Sequence, residues 1–269
     1  MEQVKNERCQ LYHGDCLEVM DQLIAQGVKV DAIICDPPYG TVACSWDNVI
    51  PFNEMWGRLE KLIKEDGAIV LFGSQPFTSL LIQSKPEWFR EEIIWLKNKA
   101  GSGLQAKQKH LKTHENIIVF SKKGKYTFNP QKWLVDKKEF LTQRKTFNEV
   151  EVGNNIYSGM KRVQSGDDGT RNPISIVSCR VPFTPSKSKT YSSDVDIRVH
   201  PTQKPLELME YLAKTFSNEN ETILDFTMGS GSTIVAALNT NRKAIGIELD
   251  KNYYDIAKTR IEETMIHNK

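Results

Sequence analysis

Residues 222–248 read TILDFTMGSGSTIVAALNTNRKAIGIE. Thr222–Phe226 is a short apolar strand, Thr227-Met-Gly-Ser-Gly231 is a turn on two glycines, and Ser232–Asn239 falls into helical spacing. Lys243–Ile247 is a second apolar strand, with Glu248 at its end. The same alternation runs upstream. Cys9–His13 leads through Gly14-Asp15 into Leu17, Met20, Leu23 and Ile24 at helical spacing. Asp31-Ala-Ile-Ile-Cys35 has the continuous apolar character of a parallel strand buried on both faces, and it stops at Asp36-Pro37-Pro38. A helix is predicted over Phe52–Lys64, with Met55, Leu59, Leu62 and Ile63 on one face, and a strand over Gly67–Phe72. Phe89–Leu96 and Asn116–Ser121 read as a further strand pair, and Leu206–Phe216 and Tyr253–Thr264 as helices. Strands alternating with helices predict an α/β fold, a mostly parallel sheet with helices on both faces.

Between Lys122 and Arg198 the pattern dissolves into Gly, Ser, Asn, Pro and basic residues with scattered aromatics. Such a stretch is a separate small module or a large insertion. The chain therefore divides into 1–121, 122–198 and 199–269.

Charge follows this division. The 269 residues hold 36 Lys and Arg against 34 Asp and Glu, a net charge of only +2. Residues 97–125, however, carry eight lysines and one acid, Glu115, and residues 121–200 carry 15 basic and 8 acidic side chains. That concentration suits a face that meets a polyanion. An apolar content of 39% with five Trp excludes wholesale disorder. No apolar run approaches the ~18–20 residues of a membrane span. The opening MEQVKNERCQ is polar, which predicts a cytoplasmic chain without a secretory leader. Five cysteines without paired spacing are expected to be free thiols.

The glycine turn at 227–231 would let a ligand approach backbone N–H groups, and an acid about 20 residues on suits a ribose diol. A dinucleotide fingerprint would need Gly or Ala at 234, which is Ile234, and no Gly-Lys-Ser/Thr phosphate loop occurs. An adenosine-type ligand without a pyrophosphate remains, with S-adenosylmethionine (SAM) the obvious candidate, beside the plainer reading of a packing turn. Asp36-Pro37-Pro38-Tyr39-Gly40 adds a second constellation. Two prolines fix φ and leave carbonyls without N–H partners. A carboxylate and a fixed carbonyl can grip both hydrogens of an –NH₂ group, while Tyr39 offers a flat face for a base.

DPPY at 36–39, the D-F-x-x-G-S-G-S-T turn at 225–233 and HPTQKP at 200–205 together resemble the amino-group DNA methyltransferases of the N6-adenine/N4-cytosine type. The order of the motifs resembles the permuted beta class. The resemblance implies a Rossmann-like SAM-dependent methyltransferase core with an inserted target-recognition region at 122–198. It implies SAM as cofactor, double-stranded DNA with the target base flipped out as partner, and a role in restriction-modification. It assigns Asp36, Pro37, Pro38 and Tyr39 to catalysis on the target base. Asp225, Phe226, Thr227, Gly229, Gly231, Ser232 and Thr233 would line the SAM pocket, with Glu248 on the ribose and Asp15 at the adenine. His200, Thr202, Gln203 and Lys204 would approach the methionine end of SAM. One departure is Thr227-Met228, where relatives more often carry small residues. Adenine N6 is the expected target, since Asp opens the motif where cytosine-N4 enzymes more often have Ser. N4-cytosine methylation, a catalytically silent SAM- or DNA-binding subunit, and RNA as substrate are the alternatives.

No covalent intermediate or metal is required by this chemistry, and no Pro-Cys dipeptide marks a ring-carbon cytosine enzyme. Cys9, His13 and Cys16, and the pair His110 and His114, read as structural or surface residues rather than metal ligands. Lys97, Lys99, Lys107, Lys109 and Lys112 are the expected DNA-binding residues. A homodimer is left open.

Overall fold

The computed structural model describes residues 2–41, 47–101, 103, 106–134, 170–182 and 203–267. The chain divides into two compact units, the larger comprising Met1–Asn129 with Ser175–Lys269 and the smaller Pro130–Ile174. In the larger unit the strands are β1 (Glu2–Lys5), β2 (Cys9–His13), β3 (Val30–Cys35), β4 (Ile63–Gly73), β5 (Phe89–Lys97) and β6 (His114–Phe120). They are joined by β9 (Ile176–Cys179), β10 (Thr222–Asp225) and β11 (Lys243–Glu248). The smaller unit contributes β7 (Trp133–Leu134) and β8 (Thr170–Arg171), an antiparallel pair. The helices are α1 (Cys16–Ala25), α2 (Phe52–Leu62), α3 (Phe77–Ser84), α4 (Leu206–Phe216), α5 (Ser232–Asn239) and α6 (Lys251–His267).

Among the described residues the main sheet runs β1-β2-β11-β10-β3-β4-β6-β5-β9. The pairs from β2 to β4 and the pair β5/β9 are parallel; β1/β2, β4/β6 and β6/β5 are antiparallel. This is a Rossmann-like α/β architecture. The apolar run of β3 explains its central place. Ala32 and Ile34 join the core shared with Leu212 of α4, Ile234 of α5 and Tyr254 of α6. Ile33 and Cys35 point the other way, into the core with Met20 of α1, Leu59 of α2 and Leu81 of α3. β4 repeats the alternation, with Val70 in the first core and Leu71 in the second. Each Ile, Leu, Val and Met side chain in these cores contributes roughly 1.5–3 kcal/mol by leaving water.

The direction of travel reverses between β10 and β3. From β10 the chain crosses to β11 on one side, and from β3 to β4 on the other. A crevice opens outside the carboxyl ends of strands at such a switch point. Antiparallel β6 adds to this edge in a different way. Its register sets Asn116 opposite Gly73 at the carboxyl end of β4, so Glu115, near the start of β6, arrives there as well.

Four elements depart from the sequence-based expectation. The helix predicted to Lys64 stops at Leu62, because Ile63 pairs with Val30 in the sheet. β1, with the polar sequence EQVK, is an edge strand held by its ladder to β2. β9, within the stretch read as irregular, pairs with β5 from Ile94↔Ile176 to Lys97↔Cys179. The eight-residue helix α3 was also not expected.

Cys9, Cys16, Cys35 and Cys179 are free thiols; Cys44 lies outside the described residues. Burial pushes the Cys9 and Cys16 thiols up to about 12, so neither is a nucleophile. His13 spends Nε2 on the Leu249 carbonyl at 3.1 Å. Among the described residues there is no His, Cys, Asp and Glu group that could hold a metal, and no helix long and apolar enough to cross a membrane.

Candidate active site

A cavity of about 440 Å³ lies at the carboxyl ends of β2, β11, β10 and β3. One half is built by the turn after β10. Gly229 and Gly231 take φ of +52° and +81°, values that side chains with a Cβ rarely adopt. Glu248 ties this turn to the end of β11: Gly229 N–H donates to Oε2 at 2.9 Å and Asp250 N–H to Oε1 at 2.8 Å. Burial raises the Glu248 pKa, and these backbone donors restrain the rise. Each carboxylate oxygen keeps further acceptor capacity. Ser232, also on the wall, has a buried Oγ with no hydrogen-bond partner. A buried hydroxyl beside a cavity is a site for a polar ligand atom.

Asp225 is used differently. Its Oδ1 accepts from Thr227 N–H at 3.1 Å and its Oδ2 from the Thr233 hydroxyl at 2.5 Å. Burial pushes this carboxyl up to about 6, with the Thr233 and Cys35 hydrogen bonds opposing. Asp15 lines the cavity while capping α1, its Oδ1 accepting from Leu17 N–H at 2.8 Å and Glu18 N–H at 3.2 Å. Phe226, Thr227, Gly229, Thr233 and Gln203 are on the wall as well. Gly231 is not. It is packed under α6, where a Cβ would stand 3.1 Å from that of Ala257. The unusual Met228 fits because residue 246 is glycine; any Cβ there would collide with its sulfur.

The other half of the cavity is built around Asp36. Its backbone carbonyl accepts from the Thr227 hydroxyl at 3.0 Å, which joins the turns after β3 and β10. Its Oδ1 accepts from the Tyr39 hydroxyl at 2.5 Å, and its Oδ2 is paired with the Lys204 ammonium. Lys204 is buried, with Nζ 4.9 Å from the Phe72 ring centroid and 3.5 Å from Glu115 Oε2. Glu115 is paired through Oε1 with Lys97. Burial raises the Asp36 pKa, against Lys204 and with the help of the nearby Glu115 charge. Burial opposes the charge on Lys204, yet Asp36 and Glu115 hold its pKa above the ordinary lysine value. Burial likewise opposes ionisation of Glu115, but Lys204 and Lys97 leave it below the usual carboxylate range. Two carboxylates and two ammonium groups thus balance. The Tyr39 ring lies 5.1 Å from that of Phe77, tilted by 32°. The wall offers acceptors and a flat ring, and its Cys16 thiol is protonated.

Residues 30–259 match the DNA methylase family of N6/N4 methyltransferases. The chain belongs to the DNA methylase family. The type II methyltransferase M1.MboII of Moraxella bovis is 28% identical over 280 residues, covering 96% of this methylase and 98% of the relative. The DNA adenine methyltransferase YhdJ of Escherichia coli (strain K12) is 26% identical over 280 residues, covering 96% and 84%. Among solved structures, the M1.HpyAVI–SAM complex matches with a TM-score of 0.60 and 28% identity, over 94% of this chain and 99% of that one. The cytosine-N4-specific PvuII DNA methyltransferase matches with a TM-score of 0.61 over 98% and 92%; at 15% identity it shares the fold alone.

Two charged wall residues of this methylase were missed by sequence reasoning. Asp47 collects three backbone donors: Tyr39 N–H at 2.8 Å and Gly40 N–H at 3.0 Å on Oδ1, and Thr41 N–H at 2.7 Å on Oδ2. Two prolines followed by three N–H groups in a loop do call for a nearby acceptor, which is the signal that could have found it. Glu115 was visible only as the one acid among eight lysines. Lys204, expected at the methionine end of SAM, is paired with Asp36. His200 and Thr202 lie outside the described residues. None of the five expected DNA-binding lysines lines the cavity. Lys99, Lys107 and Lys109 are exposed, whereas Lys97 is held by Glu115 and Lys112 donates to Ser74 Oγ at 2.5 Å.

Proposed function

We propose that this DNA methylase transfers the methyl group of SAM to the N6 amino group of adenine at a specific DNA sequence. The observation that carries the proposal is the pairing of two loops on adjacent strands: Thr227, in the glycine turn, donates to the Asp36 carbonyl at 3.0 Å. The glycine turn fits an adenosine-type cofactor, because the unpartnered Ser232 Oγ and the Glu248 carboxylate both line its wall. SAM, when bound, supplies an electrophilic sulfonium methyl. The remaining chemistry falls to the chain. Asp36 and the Pro37 carbonyl accept the two amino hydrogens, and Tyr39 stacks on the base. As the nitrogen gains the methyl group it develops positive charge, which the Asp36 carboxylate offsets. The nitrogen then gives its extra proton to the Asp36 carboxylate that already accepts its hydrogen bond, and Asp36 releases that proton to water. Because the amino group is inside the duplex, the base must be flipped out at a cost of a few kcal/mol.

Asp as the first residue of DPPY favours adenine over cytosine. Residues 122–198 are assigned to target recognition, between 1–121 and 199–269; of these, Pro130–Ile174 form the separate compact unit, whereas β9 belongs to the main sheet. The exposed Lys99, Lys107 and Lys109 are assigned to phosphates. The test is nucleoside analysis and sequencing of DNA from cells expressing the parent or Asp36→Ala. N6-methyladenine at one sequence, in the parent only, is expected. N4-methylcytosine would overturn the adenine assignment. No modified base with either protein would favour the silent-subunit reading.

Glu248 gives a separate test of the cofactor half. Glu248→Ala is expected to weaken SAM binding by roughly 1–3 kcal/mol through loss of charge-assisted hydrogen bonds. Unchanged affinity by calorimetry, in a variant that melts cooperatively, would remove Glu248 from the site.

A further inference from the structure

Both oxygens of Asp36 already accept hydrogen bonds, one from Tyr39 and one from Lys204. A target amino group therefore meets a carboxylate whose Oδ2 is held by an ammonium. Lys204 cannot withdraw into water, because its side chain is only 8% exposed. Among the described residues the carboxylates it contacts are Asp36 and Glu115. The Glu115 carboxylate is divided between two roles. Oε1 is engaged by Lys97, while Oε2 is buried without a hydrogen-bond partner and stands 3.5 Å from Lys204 Nζ. A buried carboxylate oxygen without a donor is unfavourable, and an ammonium on a flexible stem can supply one by a movement of well under a residue's length.

We propose that the Lys204 ammonium has two seats: against Asp36 as observed, and against Glu115 Oε2 when the target amino group hydrogen-bonds to Asp36 Oδ2. Glu115 is then a positioning residue that acts through Lys204. The incoming amino group is neutral, so the count of two carboxylates and two ammonium groups is unchanged by the move. The Phe72 ring, 4.9 Å from Nζ, keeps a favourable face beside the cation during the shift. Lys97 holds Glu115 in place, and the register of β6 against β4 brings Glu115 to the carboxyl edge of the sheet. The proposal rests on the reading of Asp36 as the partner of the target amino group.

Single-turnover methylation, SAM calorimetry and DNA affinity on Glu115→Gln, Glu115→Asp, Lys204→Met and the Glu115→Gln/Lys204→Met double variant test it. Glu115→Gln is expected to lower turnover about tenfold, with SAM and DNA affinities within about twofold of the parent. Glu115→Asp restores the charge on a shorter stem and should recover at least a threefold share of that loss, whereas a role in shape alone would favour Gln over Asp. In the Lys204→Met background, Glu115→Gln should change turnover less than about twofold, because its route of action is gone. Turnover of Glu115→Gln within threefold of the parent, Asp poorer than Gln, or full additivity in the double variant would each overturn the proposal. Should Lys204→Met fail to fold, the Gln and Asp comparison decides alone. If Asp36→Ala methylates normally, the underlying reading falls too; if Asp36→Ala is inactive and Glu115→Gln is parent-like, only the two-seat proposal falls.

Discussion

Asp36→Ala is expected to lower turnover by about 10²–10⁴, the range for removing one preorganised electrostatic partner. The carboxylate acts on charge that develops on nitrogen, so its loss belongs to the transition state more than to ground-state binding. SAM affinity should change little, since the Glu248 and Ser232 wall is built by β10, β11 and α5. The fold should survive as well. Lys204 loses one carboxylate but retains Glu115, 3.5 Å away, so the substitution does not strand a buried cation. Asp36→Asn keeps an amide oxygen that accepts one hydrogen bond, and its residual turnover should exceed that of Ala. Single-turnover methylation of a matched oligonucleotide isolates this step from product release. A folded Ala variant within threefold of the parent would remove Asp36 from the chemistry.

What the sequence disclosed, and what it did not, follows from where each constraint is written. β3 and β4 were legible because a strand buried on both faces must be apolar throughout, and each face is filled by a different set of helices. The glycine turn and DPPY were legible because positive φ and missing N–H groups are properties of the residues themselves. β1 has no such mark; EQVK is a strand only because β2 offers it a ladder. Glu115 and Lys204 show the same limit within the site. Their roles arise from tertiary placement, Glu115 through the Gly73↔Asn116 register and Lys204 through the approach of residues 168 positions apart to one carboxylate. The family resemblance assigned Lys204 to the methionine end of SAM; its pairing with Asp36, on the same cavity wall, was not legible in the sequence.

Asp47 makes the same point with a larger consequence. Its carboxylate accepts from the N–H groups of Tyr39, Gly40 and Thr41, so one buried side chain fixes the loop that follows DPPY. Gly40, at φ +67°, turns the chain so that all three donors converge. Asp47→Ala releases them. Gly40 and Thr41 are exposed, so water can take up their N–H groups, and the thermodynamic loss should be modest, on the order of 1 kcal/mol. The positional loss is greater. Tyr39 itself carries one of the freed donors, and its hydroxyl is the partner of Asp36 Oδ1. Displacement of about 1 Å in such a group costs about 10²-fold in rate. Asp47→Ala should therefore lower turnover about 10²-fold while SAM affinity and melting temperature stay near those of the parent. Asp47→Asn retains one oxygen, enough for the Tyr39 and Gly40 donors, and sets its own N–H₂ against Thr41; its turnover should lie between the two. Parent-like turnover of Asp47→Ala would mean that the prolines hold the loop without help. Loss of SAM affinity in step with turnover would mean that Asp47 supports the whole cavity rather than the half around Asp36.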